Sequence, residues 1–144
     1  FHLNILKNLE KDFLKNKTLK IEHHAFPLDL AALNAEKIVR CGNNMNTKFK
    51  LLDIIYEKQK EWAVGTDIDK INDSLLAIGK SLNLEENKLK SCLADEGLQD
   101  EILNERIYAQ KKYDIDSTPT IYINEKKYKG KFDFASIKKY IEKI

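Results

Sequence analysis

Ser117-Thr118-Pro119-Thr120-Ile121-Tyr122-Ile123-Asn124-Glu125-Lys126-Lys127-Tyr128-Lys129-Gly130 is the stretch on which the fold turns. Thr120 to Ile123 is β-branched and aromatic and predicts a strand. Asn124-Glu125 predicts a two-residue turn, with Lys126 to Lys129 returning antiparallel. Gly130 breaks that strand, and Asp133 is placed to cap a last helix carrying Phe134, Ile137, Tyr140, Ile141 and Ile144. Pro119 stands just ahead of the hairpin. An X-Pro bond is cis in only about 5–6% of folded cases, so residue statistics alone make Pro119 a trans residue opening a strand.

Immediately upstream the period changes. From Asp29 to Tyr113 the signals are helical. Asp29 can cap a helix running through Ala32, Ala35, Ile38 and Val39 to Cys41, stopped by Gly42. Asn46 or Thr47 can open a second, with Leu51 or Leu52, Ile55, Gln59 and Trp62 along it. Asp67 caps a third with Ile68, Ile71, Leu75 and Ile78, ending near Gly79. Asn83 and Glu86 have capping-box spacing for a short fourth through Leu89 and Cys92. Leu98, Ile102, Ile107 and Tyr113 anchor a fifth. Their apolar stripes need a common core, which predicts a bundle. Trp62, on such a stripe, reads as core rather than as a ligand platform.

Further upstream, Leu19, Ile21 and His23 alternate with Lys20, Glu22 and His24 up to Phe26-Pro27. This predicts a strand of about seven residues over Leu19–Ala25. His23 and His24 point to opposite faces of such a strand and cannot chelate one ion together. No Cys or acid lies at zinc spacing around them, so no metal site is expected. At the front, Phe1, Ile5, Leu9 and Phe13 recur at i+4 with Leu6 beside them, an amphipathic helix from the first residue. Phe1 is not an initiator methionine and nothing before it caps the helix. The expectation is a helix cut off at its front; the alternative is a frayed natural terminus after processing.

The 144 residues carry a net charge of +2 and are 42% hydrophobic, with 5 Gly and 2 Pro, which excludes collagen-like and disordered classes. No stretch approaches the ~18 apolar residues of a membrane-spanning helix. Of 25 basic residues only Arg40 and Arg106 are arginine, and the 23 acids are interspersed among the bases. No nucleic-acid footprint results. The run Lys126, Lys127, Lys129 and Lys131 reads as a solvated strand edge, where lysines discourage aggregation. The cysteines, Cys41 and Cys92, stand 51 positions apart; neither has a second within two residues. Two buried thiols remain one reading of them.

The order is helix, strand, five helices, strand–turn–strand, helix. Phe1-His2 followed by a Leu/Ile-rich helix, Phe26-Pro27-Leu28 with Ala31, Ala32 and Ala35, Gln59-Lys60-Glu61-Trp62, and Ser117-Thr118-Pro119-Thr120 with Ile121-Tyr122-Ile123-Asn124 occur in that order. Together they resemble the DsbA-like family of thiol:disulfide oxidoreductases. The resemblance implies an α/β fold, a thioredoxin-like domain from residues 1–28 and 114–144 with an inserted α-helical bundle at 29–113. It implies a cis Thr118-Pro119 bond, with Thr118 pairing its main chain with a substrate peptide. It also implies a structural disulfide between Cys41 and Cys92, as some members of the family have.

Family members exchange disulfides with a Cys-x-x-Cys pair at the start of the first helix, where the dipole and free amides favour the thiolate. This sequence contains no such pair. By the resemblance, the pair and the central strand of the sheet would stand before Phe1, between the strands represented by Leu19–Ala25 and Thr120–Ile123. The expectation is therefore a chain inactive by itself, which self-associates at its open edges or rearranges its sheet, with no cofactor. Partners would be unfolded or reduced proteins and a redox partner protein, in a bacterial periplasmic or exported setting. The alternatives are an isomerase or glutathione-transferase-like enzyme of the same architecture, and a non-enzymatic peptide-binding or chaperone module.

Overall fold

Asn124 and Glu125 both take positive φ, 46° and 65°. That is the backbone of a type I′ turn, whose twist matches that of the strands it joins. It links β1 (Tyr122–Ile123) to β2 (Lys126–Lys127) in the register Tyr122↔Lys127 and Ile123↔Lys126. The Tyr128 amide extends the pairing by donating to Ile121 O at 2.8 Å. In this computed structural model, which describes residues 1–16 and 18–144, the hairpin belongs to a unit formed by Phe1–His24 and Asp114–Ile144.

That unit is closed by two helices. Helix α1 covers residues 2–14, with π-type stretches His2–Leu6 and Glu10–Leu14 on either side of the α-helical Lys7–Leu9. Helix α8 (Phe134–Ile141) starts at Asp133, whose carboxylate accepts from Ser136 N at 2.7 Å. The i+4 stripe of α1 does what its spacing dictates. Ile5 and Leu9 are buried against Tyr128 and Ile137, with Phe13, Ile21, Ile121, Ile123 and Phe134 packed round them. Lys138 ties the two helices together through Asp12 Oδ2 at 2.7 Å.

Residues 19–24 depart from the expected strand. Their exposure alternates as the sequence pattern demands, with Leu19, Ile21 and His23 the more buried set. Yet the described residues form only the β1–β2 sheet. Alternation specifies which face is buried; a strand also needs a neighbour to complete its ladder, and none of the described residues supplies one.

The second unit, Ala25–Tyr113, is helical. It contains α2 (Leu30–Arg40), α3 (Met45–Glu57), α4 (Gln59–Trp62), α5 (Ile68–Ser81), α6 (Glu86–Ala94) and α7 (Glu96–Tyr113). Residues 25–28, expected with the thioredoxin-like part, fall with the helices. Arg106 of α7 explains this: it donates to Pro27 O at 2.6 Å and its guanidinium lies 5.1 Å from the Phe26 ring centroid. The bundle core includes Ile38, Leu51, Leu75 and Leu89, none with measurable exposure. Trp62 is buried in it and donates from Nε1 to Ile55 O at 2.7 Å, a satisfied core tryptophan.

Three helix ends differ from expectation. Helix α3 is capped by Asn44, which accepts from Thr47 N at 2.9 Å, rather than by Asn46 or Thr47. The expected second helix is interrupted at Lys58, which separates α3 from α4. Asn83 does not cap α6. It takes φ +61° at the end of α5, where its amide bonds Lys80 O at 3.0 Å and that of Leu84 bonds Gly79 O at 3.4 Å. This is a Schellman C-cap, for which asparagine substitutes for glycine.

Candidate substrate-binding site

The segment leading from α7 to β1 carries the candidate site. Asp114 leaves the helix with φ +48°, and its carbonyl accepts from Lys127 Nζ at 3.0 Å, so β2 anchors the start of the loop. Ser117 Oγ donates to Asp116 Oδ1 at 3.1 Å, and Thr120 Oγ1 donates back to Ser117 O at 2.6 Å. These short-range bonds brace the loop on both sides of the Thr118–Pro119 peptide, which is cis. Thr118 and Pro119 are exposed, and the main-chain groups of Thr118 make no hydrogen bond among the described residues.

An unpaired N–H and C=O at the head of a strand can accept an extended peptide by main-chain pairing. Pro119 has no N–H, so the donor in such pairing must come from its neighbour. Beneath the loop, Ile121 and Ile123 sink into the same cluster as Ile21 and hold the segment against the core. The site is thus an exposed backbone edge on a packed support. The seven lysines between Lys126 and Lys143 give its unit a basic surface.

Cys41 and Cys92 lie in the helical unit. They form a disulfide, S–S 2.09 Å and Cα–Cα 6.0 Å. Cys41 is the C-cap of α2 and Cys92 sits in the last turn of α6. Both are at the negative ends of their helices, where a thiolate is disfavoured; an exchange thiol belongs at the opposite end. Cys41 is also buried, with its sulfur 3.6 Å from Lys88 O. The bridge joins α2 to α6.

Lys37 had no sequence signal for its role. It is buried on the stripe of α2 that carries Leu33 and Cys41, and its ammonium donates to Leu93 O and Gln99 Oε1, each at 2.9 Å. Arg40, one turn on, holds Glu36 at 2.8 Å and Glu105 at 2.5 Å. Burial pushes the Glu36 carboxyl above its ordinary value, against the pull of Arg40.

A small mixed hairpin unit with a capping C-terminal helix, interrupted by a disulfide-bonded helical bundle and carrying an exposed cis-proline loop, is the DsbA-like variant of the thioredoxin fold. The model of the family described as Thioredoxin matches residues 1–143, and the chain belongs to that family. It is similar to disulfide bond formation protein D of Bacillus subtilis (strain 168), 29% identical over 152 residues, covering 99% of this chain. The chain spans 64% of the length of that relative. The crystal structure of Wolbachia pipientis alpha-DsbA1 superposes with a TM-score of 0.85 at 22% identity, over 99% of this chain and 76% of that one.

Proposed function

We propose that residues 1–144 form the scaffold and the substrate-reading edge of a DsbA-type thiol:disulfide oxidoreductase. Its substrates are reduced or unfolded proteins, and a redox partner protein resets it. The observation that carries this reading is the exposed cis Thr118–Pro119 peptide with the Thr118 main chain unpaired. The named relative, a disulfide bond formation protein, agrees in chemistry. A persistent disulfide at Cys41–Cys92 fits an oxidising, exported compartment such as the periplasm.

Exchange requires an attacking thiolate and a resolving thiol within reach of each other. The chain's two cysteines are bonded to each other in the helical unit. The exchanging pair is therefore a different one, which residues 1–144 do not contain, and these residues alone do not turn over substrate. They bind it.

Binding by main chain makes a distinctive prediction. Thr118→Ala keeps the N–H and should leave affinity for an unfolded cysteine-containing peptide within about twofold, whereas Thr118→Pro removes the donor and should lower it about tenfold. Fluorescence anisotropy of a labelled peptide reads both, with the hairpin fold of each variant checked by amide resonances. A loss in Thr118→Ala equal to that in a folded Thr118→Pro would contradict main-chain pairing. No peptide binding by the parent chain would contradict the function itself.

A further inference from the structure

Beside the hairpin, on the surface of the same unit, Lys127, Lys129, Lys139 and Lys143 line a cleft of about 460 Å³ with no carboxylate among its walls. Sequence alone makes the first two of these a solvated strand edge. The fold brings them to α8 and the turn after it, and so turns two separate lysine pairs into one basic ring. Two of the acids near it in sequence are engaged elsewhere. Asp133 holds Ser136 N and Oγ at 2.7 and 2.9 Å, and Glu142 reaches Lys138 at 3.9 Å. Lys129, Lys139 and Lys143 have no carboxylate partner among the described residues.

The floor is aromatic and fixed. Tyr128 and Tyr140 meet edge to face with centroids 5.3 Å apart. Tyr128 Oη donates to Lys131 O at 3.0 Å and curls the loop 128–131 over its own ring. Gly130 is what allows the curl, because a Cβ there would collide with the Tyr128 hydroxyl. The curl leaves Phe132, next to Lys131, 47% exposed and 6.1 Å from the Tyr128 ring.

We propose that this cleft and the Phe132 loop form a docking face for anionic phospholipid, with a headgroup phosphate seated among the lysines and Phe132 entering the interfacial layer. An exposed aromatic beside a ring of lysines is the chemistry of a peripheral membrane contact, in which area burial and attraction to anionic headgroups add. The cleft contains no arginine, whose planar fork serves bidentate recognition of nucleic acid. Ammonium groups instead act as point charges suited to a mobile headgroup.

Cosedimentation of the chain with vesicles tests the proposal, using phosphatidylcholine alone and phosphatidylcholine mixed with phosphatidylglycerol. Binding is expected only to the mixed vesicles, and should disappear near ~1 M salt, where the screening length falls to about 3 Å. The triple variant Lys129→Gln, Lys139→Gln, Lys143→Gln should partition about a hundredfold less, the effect of about three surface lysines. Phe132→Ala should weaken binding without changing its salt dependence. The charge-matched control, Lys50→Gln, Lys60→Gln, Lys111→Gln on the helical unit, should retain parental binding. Failure to bind mixed vesicles, equal binding to phosphatidylcholine, or an equal loss in the control would each overturn the proposal. So would glycerol phosphate shifting the Gly130 and Ser136 amide resonances while vesicles go unbound, which would make the cleft a site for a free phosphate.

Discussion

Lys37 and Glu36 are neighbours in sequence and opposite in consequence. The ammonium of Lys37 is buried against two neutral oxygens, Leu93 O at the end of α6 and the Gln99 side chain on α7. Lys37→Met keeps the length and strips both bonds, leaving two half-buried acceptors without this donor. It should cost about 1–3 kcal/mol in chemical denaturation. Glu36 is held by Arg40, but burial outweighs that pull and raises its carboxyl above the ordinary 4.5. A carboxyl raised on folding stabilises while protonated, so its contribution is fully present below 4.5 and is lost as pH rises through the higher folded value. Glu36→Gln should remove that loss. The difference in stability between parent and variant should therefore shift in the variant's favour as pH rises from 4.5, measured by urea unfolding at stepped pH.

At the scale of elements, the sequence marked some boundaries and hid others for a physical reason. Asp29, Asp67 and Asp133 cap their helices as expected, each standing directly before an apolar period. Asn44, Asn46 and Thr47 compete within four positions, and only packing decides among them. Asn83 could cap forward or end α5 in the left-handed region, and the Schellman bonds to Gly79 and Lys80 select the second. Gly79 was legible as a helix end and not as a contact: a Cβ there would lie 2.5 Å from Leu89 Cδ2 of α6. Gly79→Ala should therefore destabilise by about 1–3 kcal/mol through overpacking, despite alanine's better helix propensity. The hairpin turn predicts the opposite sign. Glu125 stands at φ +65°, so Glu125→Gly should stabilise by about 0.5–1 kcal/mol. A lower melting temperature for that variant would contradict the turn.

Over the whole molecule, the order of elements and the four stretches at Phe1-His2, Phe26-Pro27-Leu28, Gln59-Lys60-Glu61-Trp62 and Ser117–Asn124 carried the family in the sequence, and the matching of residues 1–143 agrees. What sequence could not supply was a ladder neighbour for the segment after the first helix. Leu19–His24 keeps its alternation but joins no sheet among the described residues, since a ladder depends on a neighbouring segment and not on the segment's own residues. The Cys41–Cys92 bridge closes a separation of 51 residues. Replacing both cysteines with alanine should cost about 4 kcal/mol in the chain-entropy model, read as a lower unfolding midpoint under non-reducing conditions.

The same double replacement tests the central claim, that this bridge is structural and the exchanging thiols are others. The measurement is oxidation of a reduced dithiol peptide by residues 1–144, by the natural polypeptide that contains them, and by that polypeptide with Cys41→Ala and Cys92→Ala, at a temperature where all remain folded. No turnover is expected from residues 1–144, turnover from the natural polypeptide, and rates within about threefold of it from the double variant. Turnover by residues 1–144 alone that vanishes with Cys41→Ala and Cys92→Ala would contradict the claim, because the chemistry would then lie in the bridge assigned to the scaffold.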